Sequence, residues 1–379
     1  MRTIGTWQGV RMRRVEAGAD PDSAPRRVTL PASWSDSAAA ALAALVPGRG
    51  PVALPLAAED WIRPLAERAG RAGLAPELAE SLHRLLLGRR GAPLPEIWRG
   101  ERTTLPGFVL NLPAFFQPGV GLDVPGFAQA VELAVACLTL FDPGAPQIGV
   151  TLADLDGLLA ALGLDYDSAA ARNVAVGLAA LLRGRADAAS AAMAASFGAA
   201  GRPDADLPIL PPSEVPGLAA AARTALAEAA ASPALRHAMT TCILDPGPSG
   251  ALLGVETNGV APAFAPVRPE GGLTSAARAR LAARGLSAEA ALASVLAGDN
   301  PLPLAGAAAH AAMREAIRPY IHAMPPLATD APVAIRPWPV AERRTRGRTA
   351  RDRAPLLPLD LPRIPRLPAQ QSRASRAIN

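Results

Sequence analysis

The chain of 379 residues contains no lysine; all 38 of its basic residues are arginine. A lysine Schiff base, a lysine general base and a phosphate-loop lysine are therefore excluded. Cysteine is nearly absent, Cys137 and Cys242 being the two. Two thiols exclude a disulfide framework and any four-cysteine zinc site. Aromatic residues make up 4% of the chain and hydrophobic residues 50%. Its core must then be built from Ala, Leu and Val, through many small contacts at roughly 25 cal/mol per Å² of buried apolar surface. No uninterrupted run of about 18 apolar residues exists, so no membrane span is expected. The opening MRTIGTWQGVRMRRVEAG carries charge but no apolar signal-peptide stretch, and the chain is expected to be cytoplasmic.

The charge that is present is unevenly placed. The formal net charge is +5, yet residues 331–379 alone hold 11 arginines against Glu342, Asp352 and Asp360. The remainder of the chain is therefore net negative, and the basic character belongs to the tail. From Pro325 onward, prolines and the clusters ERRTRGRTARDR and PRIPRLPAQQSRASR replace apolar periodicity. That composition predicts a disordered or polyproline-II tail over 326–379.

The rest reads as a helix-rich α/β chain. Strands are expected within TIGTWQGVRMRRVEA and VTLPASW, over 107–116, and at Ile148–Val150. Helices are expected in SDSAAAALAALV with Ser35 or Asp36 as N-cap, in LAAEDWIRPLAERAG, and in APELAESLHRLLLGRRG with Gly88 as C-cap. VPGFAQAVELAVACLTLF, the long stretch capped by Asp167 or Ser168, PGLAAAARTALAEAAA and three shorter segments beyond residue 274 read as helices too. Residues 21–28, 91–106 and 200–215 read as loops. The expected organisation is an N-terminal helical segment with short strands over 1–95, a barrel-like domain over 96–325, and the tail over 326–379.

Three stretches carry a family resemblance. LPGFVLNLPAFF…GLDVPGFAQAVELAVACLTLFD (105–142) is followed by QIGVTLADLDGLLAALGLDYDSAAAR (147–172), and then by TTCILDPGPSGALLGVETNGVAPAFAP (240–266). In order and spacing they resemble the large-subunit barrel of ribonucleotide reductases, most closely the adenosylcobalamin-dependent class. The resemblance implies a partial α/β barrel over roughly 95–265. It also implies chemistry that this chain lacks the residues for. The family needs a radical-bearing cysteine, a cysteine pair for two electrons and a carboxylate base. Here Leu105 stands at the position of the strand cysteine, and GAPLPEIWRGERTT (91–104) carries no counterpart of the catalytic loop. No catalytic residue is therefore assigned.

The resemblance also makes DPGPSG (245–250) the counterpart of a phosphate-holding loop, leaving Gly247, Ser249 and Gly250 as a degenerate phosphate-binding set. Against this, Pro246 and Pro248 have no N–H to donate and Asp245 repels an anion. A plain turn kept for shape is the competing reading. The family's glutamate before proline is Ala261 here. Asp154 and Asp156, two apart on a helix, are expected on a solvated face. Cys137 is expected in the core, and His83, His237, His310 and His322 show no metal-ligand spacing.

The expected function is that of a ribonucleotide-reductase-like chain without catalytic cysteines, binding a nucleotide or serving a reductase partner, with no cofactor. One alternative is an active or divided ribonucleoside-diphosphate reductase using adenosylcobalamin. The other is an interaction protein whose basic tail binds an anionic partner.

Overall fold

A computed structural model describes residues 5–18, 24–74, 77–204, 206–268, 271–299, 302 and 304–326. The expected disordered tail lies outside the described residues from position 327 onward. About half of the described residues are helical, and the fold is mixed α/β.

A first sheet is made by β1 (Met12–Ala17), β2 (Arg26–Pro31) and β3 (Val52–Ala53). β1 and β2 pair antiparallel, with Val15 opposite Val28, and β3 joins parallel. Helix α1 (Asp36–Leu45) starts where the Ser35 side chain accepts the Ala38 N–H. Then come α2 (Leu54–Arg71) and α3 (Leu78–Leu87), the latter burying Leu78, Leu82, Leu85 and Leu86 along one face. The stretch 91–106, expected to be a loop, holds β4 (Gly91–Pro93) and α4 (Pro95–Arg99). Proline is tolerated in β4 because this is an edge strand, paired on one side to the next element.

The larger sheet has the order β4-β5-β8-β9. β5 (Gly107–Asn111) is fully buried and ends where Pro113 turns the chain into a 3-10 segment at Leu112–Phe115. A small hairpin, β6 (Phe116–Gln117) and β7 (Gly121–Leu122), leads to α5 (Val124–Phe141). β8 (Gln147–Ala153) runs parallel to β5, with Gly107 opposite Gly149 and Asn111 opposite Ala153. α6 (Leu155–Ala161) and the long α7 (Ala169–Phe197), capped by Ser168, follow. After α8 (Leu218–Ala230), β9 (Met239–Thr241) pairs parallel to β8, and α9 (Gly247–Leu253) turns back. α10 (Ser275–Ala283), α11 (Ala288–Leu296) and α12 (Ala307–Ile317) complete the described elements.

One contiguous apolar core extends from Trp7 to Ile321. α1 packs on α9 and α2 on α5, so residues before and after position 95 share it. Among the described residues, α5 alone is long and apolar enough to cross a membrane, with mean hydropathy 1.6. It sits inside the fold against β5, β8 and α7, where Val131, Ala134, Val135 and Leu138 are fully buried.

Candidate functional site

In parallel α/β sheets, ligands bind beyond the carboxyl ends of the strands. Here those ends belong to β5, β8 and β9, and the third resembling stretch lies across them. Asp154 follows β8 directly and takes a left-handed backbone, φ 60°, as it caps α6. Its N–H donates to Thr257 O at 2.9 Å, while its carboxylate accepts the Glu256 N–H at 3.3 Å and the Thr257 hydroxyl at 3.2 Å. Asp156, two residues further, accepts the Ala263 N–H at 2.9 Å and is ion-paired to Arg280 of α10. Glu256 accepts the Ser275 N–H at 2.6 Å and pairs with Arg268.

These carboxylates fasten residues 255–263 over the strand ends. Asp154 and Asp156 are 3% and 1% exposed, which corrects the expected solvated face. They do not form one site, since each serves a different stretch of the covering segment. Burial, reinforced by the nearby Glu256 charge, raises Asp154 to about 7. Asp154 is thus a carboxyl able to hold a proton at neutral pH, though its oxygens are occupied by the covering segment.

The degenerate phosphate loop lies between β9 and α9. Gly247, at φ 47°, donates its N–H to Asp245 Oδ1 at 3.0 Å. Gly250 N–H donates to Pro246 O at 3.2 Å. Ser249 is fully buried, and its hydroxyl donates to Pro93 O of β4 at 2.7 Å. Pro246 and Pro248 have no N–H. The donors that would cradle a phosphate are thus committed to the fold, and Ser249 fastens α9 to the sheet edge.

The two threonines that open this stretch are also committed. Thr240 donates to Asp187 Oδ1 at 2.6 Å, and Asp187 Oδ2 accepts from Arg183 Nε at 2.6 Å. Thr241 Oγ1 lies 3.0 Å from His322 Nδ1, and His237 shares Ser190 of α7. Burial, with Arg183 close by, lowers His322 to about 4, and burial lowers His237 to about 4. This buried polar network ties β9 to α7 and to the segment after α12. Sequence reading missed it, although Arg183 and Asp187, four apart in an Ala/Leu helix, were a visible signal.

No family model and no curated protein matches the chain. Both cysteines are buried, Cys137 within α5 and Cys242 against Gly149, where a Cβ would meet its sulfur at 2.4 Å. Burial raises both thiols, Cys242 to about 12, so the thiolate is disfavoured at each. Of the histidines, His83 is held between Trp7 Nε1 and Glu59, and His310 stacks edge-on to Phe264. Among the described residues no group of three or more His, Cys, Asp or Glu is placed to hold a metal ion.

Proposed function

We propose that this chain is a ribonucleotide-reductase-like protein without the radical reaction, acting as a non-catalytic nucleotide-binding or accessory chain. One observation carries the reading. The three resembling segments contribute β5, β8 and β9, three adjacent parallel strands, each leading on to a helix. The order of the resemblance along the chain thus coincides with neighbourhood in one sheet. The partial barrel is part of this proposal, with these strands as an arc of it.

The residues present do not fit adenosylcobalamin as a radical source. Such a group hands its radical to a cysteine, and Cys137 and Cys242 are both buried thiols placed in core packing. The 245–250 loop favours the accessory form of the reading, because Ser249 donates inward to Pro93 O and the N–H groups of Gly247 and Gly250 are taken by Asp245 and Pro246.

Two assays test the proposal. The purified chain, supplied with ribonucleotides, reductant and adenosylcobalamin, is expected to give no deoxyribonucleotide; turnover by the chain alone overturns the reading. In a thermal-shift screen, a rise in melting temperature with nucleoside di- or triphosphate marks the nucleotide-binding form by ligand linkage, and association with a reductase chain without such a rise marks the accessory form. No shift with any nucleotide, and no association with a reductase chain, removes both forms of the proposal.

A further inference from the structure

Arg89 occupies a position that its residue type does not favour. It follows α3, whose end is closed by two hydrogen bonds: Arg89 N–H to Leu86 O at 2.9 Å and Arg90 N–H to Leu85 O at 3.0 Å. In this helix-ending motif the residue with left-handed backbone is usually glycine. Gly88 lies one place too early, and Arg89 itself takes φ 55°. Asn111, at the end of β5, holds the turn by donating from Nδ2 to Arg89 O at 3.1 Å and to Leu253 O at 3.2 Å.

The turn aims the guanidinium at the junction of α1, α9 and β5. It stacks 4.5 Å from the Trp34 ring centre. Nη1 lies over Gly254, where a Cβ would come within 3.1 Å of it. The buried Nε and Nη2 have no hydrogen-bond partner, and among the described residues no carboxylate is ion-paired to Arg89. Those two nitrogens form one edge of the guanidinium, the fork that meets two oxygens of a carboxylate or phosphate side by side. Asn111 Oδ1, on a side chain 6% exposed, also lacks a donor, but as an acceptor it offers nothing to an anion and the fork alone carries the site. Desolvation without a compensating charge pulls Arg89 down to about 10.

A buried cation without a counter-charge is costly in any fold. Its usual partners are an internal carboxylate, absent here, or a bound anion. We infer that Arg89 is the receptor for a small oxyanion, phosphate or carboxylate in class, bound by the Nε/Nη2 fork between Trp34 and the end of α9. Arg89 as a whole is half-buried and Gly88 and Gly254 on either side are exposed, but Nε and Nη2 themselves are closed to solvent, so an anion reaches the fork by a shift of the side chain toward that surface. The site is at the opposite end of α9 from the 245–250 loop, so the inference does not rest on the reductase-like reading. A water molecule in the fork is the neutral competitor; it would satisfy the N–H groups and leave the charge unbalanced.

The test uses the full chain in chloride buffer of constant ionic strength, with inorganic phosphate titrated to about 50 mM and acetate in a parallel series. Thermal denaturation should show a melting-temperature rise of roughly 2–5 °C with phosphate, acetate, or both. The preferred anion reports the class. Arg89→Gly is the decisive variant, since glycine suits this backbone, and it should lose the rise. Arg89→Lys, which keeps charge but not the fork, should lose most of it. Anions on the basic tail leave the comparison intact, because the tail is common to all three proteins. No rise in the unmodified chain, the result expected for water, overturns the site. An equal rise in Arg89→Gly overturns it as well.

Discussion

Asp154 and the buried histidines respond to acid in opposite directions. Asp154 keeps its proton in the fold up to about pH 7 but loses it near 4 when unfolded. The folded state therefore binds the extra proton in that window, and stability falls as pH rises from about 4 to about 7. His237 and His322 stay neutral in the fold down to about pH 4, so their contribution is lost as pH falls from about 6.5 toward 4. Asp154→Asn isolates the first effect. Relative to the unmodified chain, it should gain on the order of 2–4 kcal/mol between pH 4 and pH 7.5 in denaturant titrations. A constant difference across that range would mean that Asp154 ionises normally. Ser249 gives a second prediction. Ser249→Ala removes one of two donors to the Pro93 carbonyl, Trp98 Nε1 remaining at 3.0 Å, and should cost about 0.5–1.5 kcal/mol, with any nucleotide-induced thermal shift unchanged. Loss of that shift at unchanged stability would restore Ser249 to a phosphate-binding role.

At the scale of elements, α7 and α8 meet through glycine. A Cβ at Gly184 would lie 2.6 Å from the Ala225 carbonyl carbon and from the Leu226 nitrogen, both backbone atoms that cannot step aside. Gly184→Ala should therefore separate the helices and cost about 1–3 kcal/mol. Gly70, inside α2, meets nothing within 4 Å. Gly70→Ala should stabilise by about 0.5–1 kcal/mol through helix propensity. Chemical denaturation of the pair checks both signs in one experiment. The same elements indicate what was legible in the chain. α1, α3, α5 and α7 are periodic or capped, with Ser35 and Ser168 accepting the N–H groups expected of caps, and each is found close to its predicted place. β4 and α4 were not legible, because a three-residue edge strand of Gly, Ala and Pro has no periodicity of its own and exists through its pairing with β5. The burial of Asp154 and Asp156 was hidden for a related reason. Their partners lie more than 100 residues away, in the segment that folds back over the strand ends, and no local pattern announces it. Arg89 gave no signal either, since its left-handed turn is held by Asn111 from another strand.

The whole molecule joins a net-negative body to a tail carrying 11 arginines. Retention on an anionic matrix such as heparin should depend on residues 331–379 and fall steeply with added salt. Deleting them should abolish that retention without lowering the melting temperature; retention by the shortened chain would assign the anion-binding surface to the body. The core has a further consequence for how its unity can be measured. Trp7, Trp34, Trp61 and Trp98 are all buried and all lie in the first hundred residues, whereas Cys137 and Cys242 are buried beyond them. With residues 331–379 removed, and Trp338 with them, two sets of distinct reporters remain on opposite sides of position 100. Tryptophan emission then follows the opening of one side and thiol alkylation that of the other. Coincident transitions would mark a single cooperative melt. Alkylation that lags or leads the emission change would reveal two halves that unfold separately.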